Sequence, residues 1–131
     1  MNALTKYQPY ALAALRIVAG YTFLLHGTAK LLGIPHVAMF DGLPVMSLMG
    51  LAGMLEIVGG LLLILGWFTR PVAFLLAGEM AVAYFTAHAK AANFWLPLMN
   101  QGESAVLFCF IFLFLVFAGA GALSIDNRSA K

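Results

Sequence analysis

The sequence predicts an all-α integral membrane protein, a bundle of four transmembrane helices with both termini on the cytoplasmic side. Three features point that way. Of 131 residues, 63% are hydrophobic and only 9% charged, whereas soluble chains carry about 25% charged residues. Seven Lys/Arg and five Asp/Glu cannot coat a 14.1 kDa globule, so the apolar surface has to face lipid. Four continuous apolar runs meet the roughly 20 helical residues needed to cross a hydrocarbon core of about 30 Å. The basic residues, finally, are distributed unevenly about those runs. The length suits a single domain, 1–131, and no charge block or Ser/Pro-rich tract marks off a second.

The helices are expected at about 10–32, 46–66, 71–88 and 103–122. Turn signals separate them: Gly33-Ile34-Pro35, Gly42-Leu43-Pro44, the stretch from Gly66 to Pro71, and Leu96-Pro97 followed by Asn100-Gln101-Gly102. Pro71 fits a first helical turn, where its missing N–H costs little. Arg16 interrupts the place where the core of a cleavable signal would begin, so the first helix is expected to stay. A closed barrel would alternate polar and apolar residues, and these runs do not.

Four spans put both ends on one side. With the termini inside, that face holds Lys6, Arg16, Arg70, Arg128 and Lys131, leaving Lys30 and Lys90 outside, as the positive-inside rule requires. The longer loops, 33–45 and 89–102, then face outward. Tyr7, Tyr10, Trp67, Tyr84 and Trp95 fall near span ends, where interfacial aromatics belong. Small residues mark helix contacts: Gly20 and Gly27 on the first helix, and Gly50, Gly53, Gly59 and Gly60 on the second. The fourth helix carries Phe108, Phe110, Phe112, Phe114 and Phe117 nearly all round, which reads as a wall facing lipid or a second copy.

Several functions are excluded. A net charge of +2 is too small and too scattered for nucleic acid. The single cysteine, Cys109, rules out an internal disulfide or a CxxC pair, and its Phe108–Phe110 setting suits a buried, inert thiol. His26, His36 and His88 have no metal-ligand spacing. There is no nucleophile motif, phosphate loop or dinucleotide fingerprint.

The informative residues are ionisable groups inside the membrane, where a charge costs about 2.5–3.5 kcal/mol on insertion scales. Arg16, His26 and Lys30 lie on the first helix, Glu56 on the second and Glu79 on the third, and Glu103 opens the fourth. They are expected to face one another in a shared polar site. At 1.5 Å rise per residue, Glu56 and Glu79 come to nearly the same level near the midplane. There, either one carboxyl keeps a proton or Arg16 reaches up to neutralise one. His26 and Lys30 share a face in the outer third, level with Glu103, whose carboxylate also suits a helix N-terminus. The bland alternative is a set of buried pairs that fix which helix packs on which.

The ordered motifs resemble the DoxX family of small four-helix bacterial membrane proteins. They are Arg16 and Gly20 before His26-Gly27-Thr28-Ala29-Lys30, then Glu56-Ile57-Val58-Gly59-Gly60 and Leu65-Gly66-Trp67-Phe68-Thr69-Arg70. Met80, Ala83, Asn100-Gln101-Gly102-Glu103, Gly119-Ala120-Gly121 and Ser124-Ile125-Asp126 follow, so the likeness covers about 15–126. The chain departs at Ala120, where family members often place proline. The resemblance implies a multi-pass protein of the bacterial inner membrane that is a subunit or partner of membrane redox systems, quinone-linked or tied to oxidative stress. It maps the family's polar positions onto Arg16, Lys30, Glu56, Arg70, Glu103 and Asp126, with Arg70 and Asp126 near the cytoplasmic face, and assigns no catalytic residue.

Three functions are therefore expected, in order. The first is an accessory redox subunit that holds a quinone at the polar site, while a partner protein supplies electrons. The second is a scaffold whose loops dock a partner. The third is a small-ligand binder or transporter, which with four helices needs a homo-oligomer for alternating access.

Overall fold

The computed structural model describes residues 2–129, and all its regular structure is helical. A short α1 (Asn2–Thr5) leads into α2 (Gln8–Leu32), followed by a 3-10 turn at Ala38–Phe40 and α3 (Leu48–Leu65). Next come α4 (Thr69–Ala83), which continues as a π-helical turn over Tyr84–His88, a short α5 (Pro97–Asn100), α6 (Glu103–Ala118) and α7 (Ile125–Ser129). Three helices are long and apolar enough to cross a membrane: Gln8–Leu32, Leu48–Leu65 and Thr69–His88. The fourth apolar helix, Glu103–Ala118, has only 16 residues, about 24 Å of rise. Lys131, counted above on the cytoplasmic side, lies outside the described residues.

The expected fourth helix, 103–122, is thus four residues too long. The run stays apolar to Ala122, but Gly119 (φ 81°) and Gly121 (φ 72°) take positive φ and turn the chain out of the helix. The other ends follow the local signals. Pro71 is the third residue of α4, within the first turn as expected, and Gly33 and Gly66 close α2 and α3 in the left-handed conformation. The Ser47 side chain caps α3 by accepting from Gly50 N–H at 3.1 Å.

The spans run up and down, and the two ends of the chain meet, with Ala122 N–H bonded to Pro9 O at 2.9 Å. The tightest seam is α2 on α3, built on the glycines that the sequence singled out. A Cβ on Gly20 would sit 2.8 Å from Gly60 O, and one on Gly27 would sit 2.6 Å from Gly53 O. Two antiparallel pairs with matching seven-residue spacing thus bring the backbones together, which is how membrane helices gain contact where lipid offers no hydrophobic drive. The second close pair is α4 with α6, while α2 meets α6 along a looser seam.

The core is Ala19, Phe23, Leu63, Val72, Ala73, Leu76, Ala77, Phe112 and Leu115. Phe23 stands edge-on to Phe112, with centroids 4.6 Å apart, and to Phe108 at 5.0 Å. The aromatic wall of α6 is therefore divided: Phe112 is buried and Phe108 half-buried, while Phe110, Phe114 and Phe117 face outward. Cys109 is free and half-buried against the core. Tyr7, Tyr10, Trp67 and Trp95 are exposed near helix ends, as interfacial residues should be.

The glycine seam gives a first prediction. Gly60→Ala places a methyl 2.7 Å from two backbone atoms, Gly20 O and Leu24 N, so helices must move, at a cost of about 1–3 kcal/mol. Gly78→Ala on α4 meets nothing within 4 Å. Melting curves in detergent should show a clear drop for the first variant and none for the second.

Candidate functional site

The polar site forms where α2, α3 and α4 converge. Lys30, in the last turn of α2, sends its stem inward, and its Nζ lies 2.6 Å from Glu56 Oε1. Only 9% of the Lys30 side chain and 1% of the Glu56 side chain remain exposed. This is a buried ion pair in the middle of α3, and its partners are a long flexible ammonium and a short carboxylate. A lysine stem can carry its charge well away from its own helical turn. Phe40, from the 3-10 turn, covers the ammonium with its ring centroid 5.7 Å from Nζ.

Glu79 completes the group from α4. Its carboxyl interacts with Glu56 and more weakly with Lys30, so the two glutamates do share one level as the rise per residue predicted. Three carboxyl oxygens, Glu56 Oε2 and both of Glu79, are buried with no donor from any other described residue, and the two carboxyls face one another closely enough to share a proton in a hydrogen bond. One ammonium beside two carboxyls leaves a net charge of −1 when all three are ionised. In an apolar interior that excess has to be met by a proton, a cation or a ligand that donates hydrogen bonds. Beside Lys30 a cavity of about 230 Å³ lies under the 33–45 loop, lined by Val37, Phe40, Asp41 and Leu43 among others.

The structure separates other predicted members from this cluster. Arg16 does not reach Glu56 or Glu79. It is fully buried at the opposite end of α2, where all five of its N–H groups meet backbone carbonyls. Nε donates to Ala120 O at 2.7 Å. Nη1 donates to Leu63 O at 2.5 Å and Ile64 O at 2.8 Å, and Nη2 to Ala122 O at 3.0 Å and Leu123 O at 2.9 Å. The guanidinium thus caps the end of α3 and the turn after α6 at once. Its acceptors are carbonyls at those chain ends, with Leu63 O shared with Gly66 N–H, and the carboxylate whose charge it feels is Asp126, not Glu56 or Glu79.

Glu103 also stays apart: it is exposed in the first turn of α6, where the helix dipole favours a carboxylate. His26 is exposed rather than inward-facing, and its ring lies 5.7 Å from that of Phe23 and nearly parallel to it. It still feels the charges of Glu56 and Lys30, so it sits at the rim of the cluster. Arg70 and Asp126 are helix caps near the chain ends. Arg70 Nη1 donates to Val116 O and Phe117 O, each at 2.7 Å, at the close of α6. Asp126 accepts from Phe68 and Thr69 N–H, each at 2.9 Å, at the start of α4. Among the described residues, no three His, Cys, Asp or Glu side chains gather as a metal site.

Two contributors went unnoticed in the sequence. Phe40 lies in a loop with no periodicity to betray its place over Lys30. Asn100 is buried and organises the 89–102 loop, donating to Asn93 O at 3.0 Å and Tyr84 Oη at 3.1 Å. Its Oδ1 accepts from Gly102 N–H at 2.8 Å, while Tyr84 Oη donates to Phe94 O at 2.5 Å. Tyr84 is therefore a loop anchor, half-buried, and not a free interfacial ring. For Asn100, the turn signal Asn100-Gln101-Gly102 and the family motif before α6 marked the position but not its role.

Comparison with known proteins agrees with this architecture. The DoxX family model matches residues 11–89. An uncharacterised protein of Haemophilus influenzae is 51% identical over 134 residues, covering 100% of this chain and 99% of that one. A Bacillus subtilis protein named "Putative oxidoreductase CatD" is 30% identical over 115 residues, 86% of this chain and 81% of its own. "Inner membrane protein YphA" of Escherichia coli is 28% identical over 136 residues, 92% and 91% of the two chains. No solved structure matches.

Proposed function

The chain belongs to the DoxX family, and from that premise we propose that it is a multi-pass inner-membrane subunit or partner of a quinone-linked redox system, with Lys30, Glu56 and Glu79 as its polar intramembrane site. The observation that carries this reading is a buried pair of carboxyls whose three remaining oxygens find no donor but a proton shared between them, beside a buried ammonium. A quinol head offers hydroxyl donors to those oxygens, and a quinone carbonyl can accept from Lys30. The apolar surroundings suit its ring and tail.

When bound, such a head group supplies the redox chemistry, and its oxidation releases protons. This chain's residues hold and exclude. Glu56 and Glu79 accept and keep a proton, Lys30 balances the remaining charge, and Phe40 shields the ammonium from water. One cysteine and no electron-carrier motif mean that electrons come from a partner protein. The printed name of the Bacillus subtilis relative supports the redox class, and that of the Escherichia coli relative supports the location.

Glu79→Gln gives the decisive test. The apo protein should melt at the same temperature or higher, because an amide removes the excess negative charge and offers a donor to Glu56 Oε2. Binding of a short-chain quinol, read by tryptophan emission and by thermal stabilisation, should weaken about tenfold, the loss of one charge-assisted hydrogen bond. Wild-type protein that neither retains quinone nor responds to titration would sink the reading. The scaffold alternative rests on the Lys30–Glu56 pair, which by itself pins α2 to α3. It predicts that Glu79→Gln leaves every binding readout unchanged.

A further inference from the structure

At the end of the bundle that carries the chain termini, the loose α2–α6 seam opens into a cleft of about 900 Å³. Its walls are graded. Thr5 and Gln8 stand at the mouth, and Leu12 and Leu15 follow along α2, facing Phe114 of α6. Gln8 to Leu15 covers about 10 Å of rise, so the slot passes from polar to apolar along the bundle axis.

Arg70 lines the mouth and is exposed there. Both hydrogens of Nη1 go to Val116 O and Phe117 O. That leaves the Nε/Nη2 edge of the guanidinium without an acceptor among the described residues. Two parallel N–H groups on one edge form the fork that grips an oxyanion bidentately. The one carboxylate in the cleft, Asp126, already accepts from Phe68 and Thr69 N–H. The Asp126 charge is met by the buried Arg16 guanidinium as well, so the fork is the cleft's one cationic edge without an acceptor among the described residues.

We propose that this cleft is a binding site for one anionic phospholipid, whose phosphodiester docks on the Nε/Nη2 edge of Arg70 while an acyl chain lies along Leu12, Leu15 and Phe114. The lipid fills the gap at this end of the α2–α6 seam and so braces the two helices beyond their contact through Phe23 and Phe112. The site lies at the opposite end of α2 from Lys30 and stands independently of the quinone reading.

Trp67 stacks on cleft-lining Phe68, with centroids 5.1 Å apart, and so reports on occupancy once Trp95→Phe removes the distant tryptophan. In detergent, phosphatidylglycerol with brominated chains should quench Trp67 at concentrations about tenfold lower than brominated diacylglycerol, which has the same chains but no phosphodiester, the discrimination expected from one charge-assisted fork. Arg70→Gln should bring the two lipids to equality. Ala11→Phe, from an exposed position on the cleft wall, should abolish quenching by both while leaving Arg70 and its bonds to α6 in place. Equal affinity for the two lipids overturns the proposal, as does full binding to folded Ala11→Phe protein. Displacement of the brominated lipid by inorganic phosphate alone, by oleate or by a short-chain quinone at matched concentration also overturns it, because the site would then serve a free anion, a fatty acid or a quinone.

Discussion

Arg16→Met should leave the protein unable to fold stably in the membrane. Methionine matches the apolar stem but supplies none of the five donors now spent on Leu63, Ile64, Ala120, Ala122 and Leu123 carbonyls. A hydrogen bond to a charged group contributes about 1.5–3 kcal/mol, and an orphaned buried carbonyl costs about 1–3 kcal/mol. Such terms do not add, yet even a fraction of their sum is comparable with the margin of about 5–15 kcal/mol that holds a typical domain together. Arg16→Lys should recover only part of the loss, since an ammonium has three donors and no planar fork. Accumulation in membranes and the monodisperse fraction after detergent extraction would show the order wild type, Lys, Met. A methionine variant that melts with wild type would mean that the carbonyls find water instead.

The second large effect is asymmetric. Lys30→Met leaves Glu56 buried, uncompensated and beside Glu79, so a loss of about 3–5 kcal/mol is expected, as for breaking any buried pair from one side. Glu56→Gln should cost much less, because the Lys30 ammonium can turn towards Glu79 or swing out to the loop-side cavity. The double variant Lys30→Met/Glu56→Gln should regain most of the stability lost by Lys30→Met alone. A thermal-melt double-mutant cycle measures that coupling. Equal losses for the two single variants would show that the pair is not the partner set described above.

Much of the fold was legible because membrane helices advertise themselves. The α2–α3 seam could be read from glycines seven apart on facing helices, and the shared level of Glu56 and Glu79 from counting rise. What resisted reading depended on backbone atoms and on side-chain reach. Every residue has a carbonyl, so nothing in the composition says that Arg16 will be given five of them; a carboxylate looked like its natural partner. Lys30 and His26 sit one turn apart, yet only the long lysine stem bends into the interior, while the shorter imidazole stays outside against Phe23. The end of α6 was hidden because Gly119 and Gly121 interrupt a run whose hydropathy never falls. Glu103, Arg70 and Asp126 carry charge at helix ends, where the local dipole and free N–H or C=O groups claim it before any distant site can.

The reach of Arg16 bears on how the protein comes to be made. Its acceptors lie 47 to 107 residues downstream, and three of the five belong to the stretch that follows α6. During synthesis, the first span therefore leaves the ribosome with its guanidinium unclaimed; two of its acceptors arrive with α3, and the other three only after α6. The early helix must wait at the insertion machinery or at the lipid surface until the rest of the polypeptide has been delivered. A chain interrupted before Ala120 would carry a marked defect in its very first helix, which gives quality-control proteases a signal that does not depend on the site of interruption.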